Sequence, residues 1–189
     1  MAPTGIRHRG HAGATRGHEE AEMLVLVAYG STRGGTAALA RMIAEDLEAE
    51  GFTADVRSAR HVGGLEGYDA VIVGGALYAG RWHRDARRFV TRFAGGLRGI
   101  PTYLFSSGPL DNSAGRVEIP PVRGVASLMG RVGSAGHATF GGRLAPDTTG
   151  LVARAMAKKH AGNWQDPNQV RTWVHQVASD LRASVAPTA

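Results

Sequence analysis

Residues 23–36 read Met-Leu-Val-Leu-Val-Ala-Tyr-Gly-Ser-Thr-Arg-Gly-Gly-Thr, and this stretch decides the fold of the chain. Its first half is a continuous apolar run that stops at Gly30, which is typical of a strand buried on both faces of a parallel sheet. Its second half passes through hydroxyls and glycines into a segment with helical periodicity. We therefore predict a strand, a tight glycine turn and the start of a helix.

The turn is predicted to hold a phosphate group. The first N–H groups of a helix have no partners within the helix, and the helix dipole places partial positive charge beside them. Gly34 and Gly35 let the backbone approach an anion, and Ser31, Thr32 and Thr36 offer hydroxyl donors. A plain strand-to-helix turn is the alternative that the sequence leaves open, since a glycine-rich turn alone is a weak signal.

Two better-known phosphate motifs are excluded by the spacing of this turn. It has no Gly-Lys-Ser/Thr ending, so it is not the loop that binds nucleoside triphosphates. It also lacks the Gly-x-Gly-x-x-Gly of dinucleotide-binding folds. The Ser-x-x-Gly-x-Thr loop that remains suits a single terminal phosphate.

Composition limits the classes of protein to which the chain can belong. Its 189 residues suit one well-packed domain, and the absence of cysteine excludes disulfides, thiolate metal sites and cysteine nucleophiles. The formal net charge of +6 suggests acidic partners, such as nucleic acid, an anionic membrane surface or an acidic substrate. Hydrolysis and metal catalysis have no support, because no Ser-His-Asp set, His-x-x-x-His pair or carboxylate pair at a strand end is found.

The first 22 residues are predicted to be a disordered extension. They are rich in Gly, Ala, Arg, His and Thr and almost lack large apolar side chains, so they cannot bury enough surface to offset the entropy of ordering. They have no apolar central region and are not a secretory signal, and no stretch is long enough to cross a membrane, so we expect a cytoplasmic protein. The spacing of His8, His11 and His18 fits no metal-ligand set, and no metal is expected.

The rest of the chain alternates predicted strands with predicted helices. Strands are predicted at 52–59, 70–75, 100–105 and 137–140, and helices at 40–50, 82–93, 122–132, 151–160 and from Asp166–Pro167 to the last apolar stripe. This alternation predicts a parallel α/β sheet with right-handed crossovers. Small-residue loops follow three of the strands at Gly30–Thr36, Ala76–Trp82 and Ser106–Asp111, so a ligand is expected beyond the carboxyl ends of the strands.

Four segments resemble the flavodoxin superfamily, and most closely its menaquinone-dependent protoporphyrinogen oxidases and their relatives: Gly30–Thr36, Gly75–Trp82, Phe140–Leu144 and Asn163–Asp166. The likeness runs from Met23 to the end of the last helix. It implies a single flavodoxin-like domain at residues 23–185, a doubly wound five-stranded parallel sheet in the order 2-1-3-4-5 with helices on both faces. It also implies one FMN, bound non-covalently.

The resemblance implies three sets of cofactor-binding residues. The phosphate loop is Ser31, Thr32, Arg33, Gly34, Gly35 and Thr36; the second loop is Ala76, Leu77, Tyr78, Ala79, Gly80 and Trp82; the third is Ser106, Ser107, Gly108, Pro109, Leu110 and Asp111.

Individual roles follow from the same resemblance. Arg33 stands where electron-carrying flavodoxins usually have Thr or Ser, and it can pair with the phosphate bidentately. Tyr78 or Trp82 is expected to stack on the isoalloxazine, although Trp82 also fits the apolar stripe of its predicted helix. Backbone N–H groups from Ser106 to Leu110 are expected to donate to the edge of the ring system. His83 is either a proton relay or a surface histidine at a helix start.

The implied function is that of an FMN-dependent oxidoreductase similar to protoporphyrinogen oxidase, which passes electrons between an organic substrate and a quinone or another acceptor. A one-electron carrier for a partner enzyme and a flavin-free binding module are the alternatives. No catalytic residue is identified, and no nucleic acid is expected as a partner. The arginine face of residues 84–92 and the segment 151–159 are either solvated or meet an anionic membrane or the carboxylates of a porphyrin.

Overall fold

A computed structural model describes residues 22–111, 113–115, 117–144 and 162–185. The strands are β1 (Leu24–Gly30), β2 (Thr53–Ser58), β3 (Ala70–Tyr78), β4 (Arg81–Trp82), β5 (Thr102–Ser107), β6 (Gly136–Phe140), β7 (Arg143–Leu144) and β8 (Gly162–Asn163). The helices are α1 (Gly35–Ala49), α2 (Arg84–Arg92), α3 (Ala94–Leu97), α4 (Arg123–Val132) and α5 (Pro167–Val185).

The central sheet has the predicted architecture. Its parallel strands lie in the order β2-β1-β3-β5-β6, which is 2-1-3-4-5 when the short β4 is set aside. The order reverses at β1, whose residues pair with β2 on one side and β3 on the other. The predicted fold class is therefore confirmed.

Helices cover both faces of the sheet because the side chains of the apolar strands alternate between them. On one face α1 and α5 pack on the sheet through a cluster that includes Val27, Ile43 and Leu181. On the other face α2, α3 and α4 bury a second cluster around Val73 and Phe89. Within the described part of the chain, no helix is both long enough and apolar enough to cross a membrane.

The segment after β3 differs from the prediction. β3 continues to Tyr78, the chain turns at Ala79 and Gly80 with φ values of 46° and 70°, and β4 pairs back on β3 in antiparallel register. The predicted loop over 76–82 is therefore a hairpin. Trp82 belongs to β4 and not to a helix, and α2 begins two residues later.

The remaining elements lie close to their predicted positions. β5 begins after Pro101 and includes Ser106 and Ser107, which were expected in the following loop. The last helix begins at Pro167 as predicted, and the Asp166 carboxylate accepts a hydrogen bond from the Asn168 N–H at its start. The predicted helix at 151–160 lies outside the described residues, and so does the N-terminal extension that was predicted to be disordered, apart from its last residue.

Candidate functional site

The carboxyl ends of β1, β3 and β5 open into one cleft with a volume of about 590 Å³. Clefts of roughly 300–1,000 Å³ are typical sites for small ligands and cofactors. Most of the predicted site residues line it: Ser31, Arg33, Gly35, Thr36, Ala76, Leu77, Tyr78, Ala79, Gly80, Ser107, Gly108, Pro109, Leu110 and Asp111.

The first wall of the cleft is the N-terminus of α1. Gly34 caps this helix in the left-handed region at φ 78°, which glycine adopts without strain, and its N–H donates to Ser31 Oγ at 3.1 Å. No side chain caps α1, and its first turn contains no acidic residue. The positive end of the helix dipole therefore faces the cleft without a compensating charge from its own first turn.

Thr36 supplies a hydroxyl at the same point. It is 1% exposed, and its Oγ1 is a buried atom without a hydrogen-bond partner. Burying an unpaired hydroxyl costs about 1–3 kcal/mol, so native structures rarely leave one without a compensating partner. Thr36 therefore places an unsatisfied hydroxyl at the start of α1, among the residues that line the cleft.

The segment around β7 and β8 presses against the start of α1. A Cβ on Gly35 would lie 3.1 Å from the Arg143 carbonyl oxygen, so only glycine fits there without a shift. Gln165 donates from Nε2 to the Gly35 carbonyl at 2.8 Å. Arg143 also lines the cleft, and its guanidinium adds positive charge near the N-terminus of α1.

Arg33 and Tyr78 join two walls of the cleft. Arg33 Nη1 donates to Tyr78 Oη, and the guanidinium carbon lies 5.0 Å from the centroid of the tyrosine ring. Tyr78 is 37% exposed and stands at the end of β3, beside the Ala79–Gly80 turn. The pair therefore links the phosphate-loop side of the cleft to the hairpin side.

The third wall offers fewer backbone donors than predicted. Gly108 N–H donates to the Phe140 carbonyl at 2.9 Å, and Pro109 has no N–H. Ser106 and Ser107 lie within β5, which is paired on both sides. Leu110 is the residue of this stretch whose N–H has no partner among the described residues.

Four predicted site residues do not line the cleft: Thr32, Gly34, Trp82 and Ser106. Trp82 is 3% exposed and packs in the core, where the room for its indole depends on the missing side chain of Gly75. The Oγ1 of Thr32 lies 2.9 Å from His83 Nε2, and Ser106 Oγ lies 3.0 Å from His137 Nε2. Gly34 acts through the backbone, as the cap of α1.

His83 begins α2 and does not line the cleft. Its Nδ1 accepts a hydrogen bond from the Asp85 N–H at 3.2 Å, so in the neutral ring the proton sits on Nε2 and is donated to Thr32 Oγ1. Burial lowers the pKa of His83 below its ordinary value and lowers the pKa of His137 to about 4. Both rings are therefore neutral at pH 7. His83 is not among the residues that line the cleft, and a proton relay stays one of its two predicted roles.

The cleft also includes residues that sequence reasoning did not assign to it: Ser113, Ile119, Thr139, Gly142 and Arg143. Gly142 and Arg143 belong to a segment that carried the resemblance described above, and this was the available signal. The other residues come from segments with no local motif, and tertiary packing alone brings them to the cleft.

Comparison with known proteins decides the family. Residues 26–169 match the family described as "Flavodoxin domain". The chain belongs to this flavodoxin family. No curated protein matches the sequence.

Several solved structures are similar to this flavodoxin-family chain. The rubredoxin oxygen:oxidoreductase from Desulfovibrio gigas has a TM-score of 0.60 at 17% identity, over 87% of this chain and 37% of that one. A flavodoxin variant from Pseudomonas aeruginosa has a TM-score of 0.58 at 17% identity, over 85% of this chain and 99% of that one. A flavo di-iron protein variant from Thermotoga maritima has a TM-score of 0.56 at 14% identity, over 84% of this chain and 35% of that one.

The chain thus spans little more than a third of the two larger proteins. At these identities the structural likeness shows a shared fold. Family and fold together support a flavin-binding redox function. None of the proteins named here concerns protoporphyrinogen or a quinone, so those parts of the prediction stay predictions.

Proposed function

We propose that the protein binds one FMN and acts as an oxidoreductase, passing electrons between an organic substrate and a quinone or another acceptor. The observation that carries the cofactor assignment is the bare N-terminus of α1 with the buried, unpartnered hydroxyl of Thr36. A terminal phosphate would accept from that hydroxyl and from the free N–H groups of the first turn. Arg33 and Arg143 line the same cleft and would balance its charge.

The rest of the cleft suits a flat aromatic ring system. Leu77 and Tyr78 on the hairpin and Pro109 and Leu110 on the third wall offer largely apolar surfaces. Tyr78 would present its ring face, and the Leu110 N–H would donate to a carbonyl at the ring edge. When bound, FMN supplies the redox chemistry, while these residues orient it and set its electrostatic surroundings.

The protoporphyrinogen oxidase-like assignment is supported by the sequence resemblance described above. A second support is positive charge at the cleft, where Arg33 and Arg143 suit a substrate that carries carboxylates. A peripheral contact with an anionic membrane, where a quinone resides, is the alternative role of the arginine-lined face of α2.

The cofactor assignment is tested by titrating Thr36→Val with FMN and with riboflavin, which lacks the phosphate. A hydrogen bond to a charged group contributes about 1.5–3 kcal/mol, so FMN affinity should fall about tenfold to a hundredfold while riboflavin affinity stays unchanged. Thr32→Val is the matched control, because that hydroxyl faces His83, outside the cleft lining. Equal loss for both ligands, or no loss for either, would show that Thr36 does not face the phosphate.

The second candidate function is that of a one-electron carrier for a partner enzyme, which the exposed basic face of α2 favours. Assays of the FMN-loaded protein with protoporphyrinogen and a menaquinone analogue distinguish the oxidoreductase from the electron carrier. Turnover supports the oxidoreductase. A protein that takes up FMN but turns over neither this pair nor other small substrates supports the carrier.

A further inference from the structure

A second concave surface, separate from the cleft, lies along α2. It is a groove of about 680 Å³ between α2 and the turn that follows β2, and it is lined by five arginines: Arg60, Arg84, Arg87, Arg88 and Arg92. Phe89 and Phe93 also line it. We refer to it as the arginine groove.

The positive charge of the arginine groove is offset by few acidic side chains in its own lining. Asp85 is the one acidic residue that lines it, so five positive charges and one negative charge leave a net charge of +4. Asp85 lies 3.4 Å from Arg84, its neighbour in sequence. Among the described residues, Arg87 and Arg88 have no side-chain partner. Several guanidinium groups are therefore available to bind carboxylates bidentately.

The arginines are spaced regularly along the groove. Arg84, Arg88 and Arg92 recur every four residues of α2, which places successive Cα atoms about 6 Å apart along the helix. Alternate residues of an extended chain are about 6.6 Å apart and point to the same side. A row of carboxylates at alternate positions of an extended segment therefore matches this row of arginines.

One guanidinium of the row is already held in place. Arg92 lies over the ring of Phe93, with the guanidinium carbon 4.8 Å from the ring centroid. Such stacking limits the freedom of the side chain, so less entropy is lost when it pairs with a carboxylate.

We propose that the arginine groove binds an acidic, extended segment of a partner protein. A flat anionic bilayer fits less well, because the surface is concave and none of its large apolar side chains is exposed for insertion. The large hydrophobic side chains exposed in the described part of the chain are Tyr78, Val117 and Val185, none of which lines the groove.

The groove lies close to the cleft. Arg60 follows β2 at the carboxyl edge of the sheet, where the cleft also opens, and His83 at the start of α2 bonds to Thr32 in the phosphate loop. A partner bound here would sit beside the redox site. That consequence rests on the proposed function, whereas binding of an acidic segment does not.

The test uses the full chain and a fluorescently labelled peptide of alternating Glu and Ser, with a Gln-for-Glu peptide as its neutral counterpart. Anisotropy titrations compare the unaltered protein with Arg88→Glu/Arg92→Glu. The matched control is Arg41→Glu/Arg123→Glu, which changes net charge equally but leaves the groove intact. Circular dichroism and FMN titration check that each variant is folded and that its cleft is unaffected.

Reversing two of the five charges should weaken binding of the Glu peptide about tenfold or more, and the control variant should bind within about twofold of the unaltered protein. The Gln peptide should bind at least about tenfold more weakly than the Glu peptide. Equal weakening in both variants would overturn the proposal, because net charge and not the groove would then be responsible. Groove-dependent binding of phosphatidylserine vesicles without binding of the peptide would also overturn it, in favour of a membrane.

Discussion

The N-termini of α1 and α2 lie at the same edge of the sheet, but they are completed in opposite ways. α1 has no side-chain cap and no acidic residue in its first turn, and the hydroxyl of Thr36 is buried there without a partner. α2 is capped by the His83 ring, and Asp85 places negative charge in its first turn. The chain thus satisfies the second terminus itself and leaves the first one to a ligand.

The two termini are also neighbours. Thr32 and His83 are joined by a hydrogen bond, and a Cβ on Gly30 would lie 2.8 Å from the backbone nitrogen of Ala86 in the first turn of α2. The contrast between them therefore arises from their local residues and not from different surroundings.

The largest expected effect comes from giving α1 the negative charge that it lacks. Thr36→Asp would place a carboxylate where the phosphate is proposed to sit, and two like charges about 4 Å apart repel by roughly 4 kcal/mol at a protein surface. FMN affinity should fall more than about a hundredfold, while riboflavin binding should persist. Fluorescence-quenching titrations measure both, and unchanged FMN affinity would contradict the comparison.

The next largest effect is a loss of stability from crowding the contact between the N-termini of α1 and α2. Gly30→Ala would press a methyl group against Ala86 N and against His83 Nδ1, which would lie 2.9 Å away. Overpacking of this kind costs about 2 kcal/mol. Urea unfolding should show this loss, with Gly63→Ala as a control, because nothing lies within 4 Å of a Cβ built on Gly63.

A smaller effect is expected from removing the cap of α2. His83→Ala should lower the free energy of unfolding by about 1 kcal/mol, whereas His83→Asn, which retains a capping side chain, should cost much less. Thermal unfolding of the two variants checks the difference. Equal losses of stability in the two variants would mean that His83 contributes through packing of its ring and not through capping.

Comparing the unaltered protein with His83→Asn tests the pH dependence of stability. Burial lowers the pKa of His83 below its ordinary value of 6.5, so the unfolded chain takes up a proton before the folded chain does. Stability from this residue is therefore lost as the pH falls from 6.5 towards the lowered pKa. His83→Asn should show a flatter decline over that range in urea unfolding, and His137 affects both proteins equally.

The smallest effect concerns the charge in the first turn of α2. Asp85→Asn removes an interaction with the helix dipole that contributes about 0.5 kcal/mol. Its melting temperature should fall slightly at low salt and recover towards the unaltered value at high salt. A loss that does not respond to salt would indicate a structural role other than charge.

The sequence predicted the central sheet because β1, β3 and β5 are continuous apolar runs that only a doubly covered parallel sheet buries. It did not predict the hairpin at Tyr78–Trp82. The two turn residues, Ala79 and Gly80, both have positive φ, and alanine gives no signal for that conformation. The sequence assigns Trp82 to a helix because its spacing from Ala86 and Phe89 is helical. In the structure Trp82 lies on β4, but it is buried in the same core cluster as Ala86 and Phe89.

The candidate site was predicted at the level of loops and less well at the level of side chains. The direction of a hydroxyl depends on distant partners: Thr32 turns to a histidine 51 residues away and Ser106 to one 31 residues away. The residues next to Thr32 and Ser106 in the sequence do not indicate these distant histidine partners. Thr36, predicted to bind the cofactor, lines the cleft because its position in the first turn of α1 fixes its direction.

The β7–β8 ladder has a consequence for how the molecule can be altered. Arg143 pairs with Asn163 and Leu144 pairs with Gly162, so residues 144 and 162 are held next to each other, and Arg143 lines the cleft. Doubling the length of chain between two such fixed ends costs only about 0.6 kcal/mol in closure entropy. An insertion between residues 144 and 162 that keeps both β7–β8 pairs would therefore leave the paired ends in place and add chain beside Arg143, at the cleft.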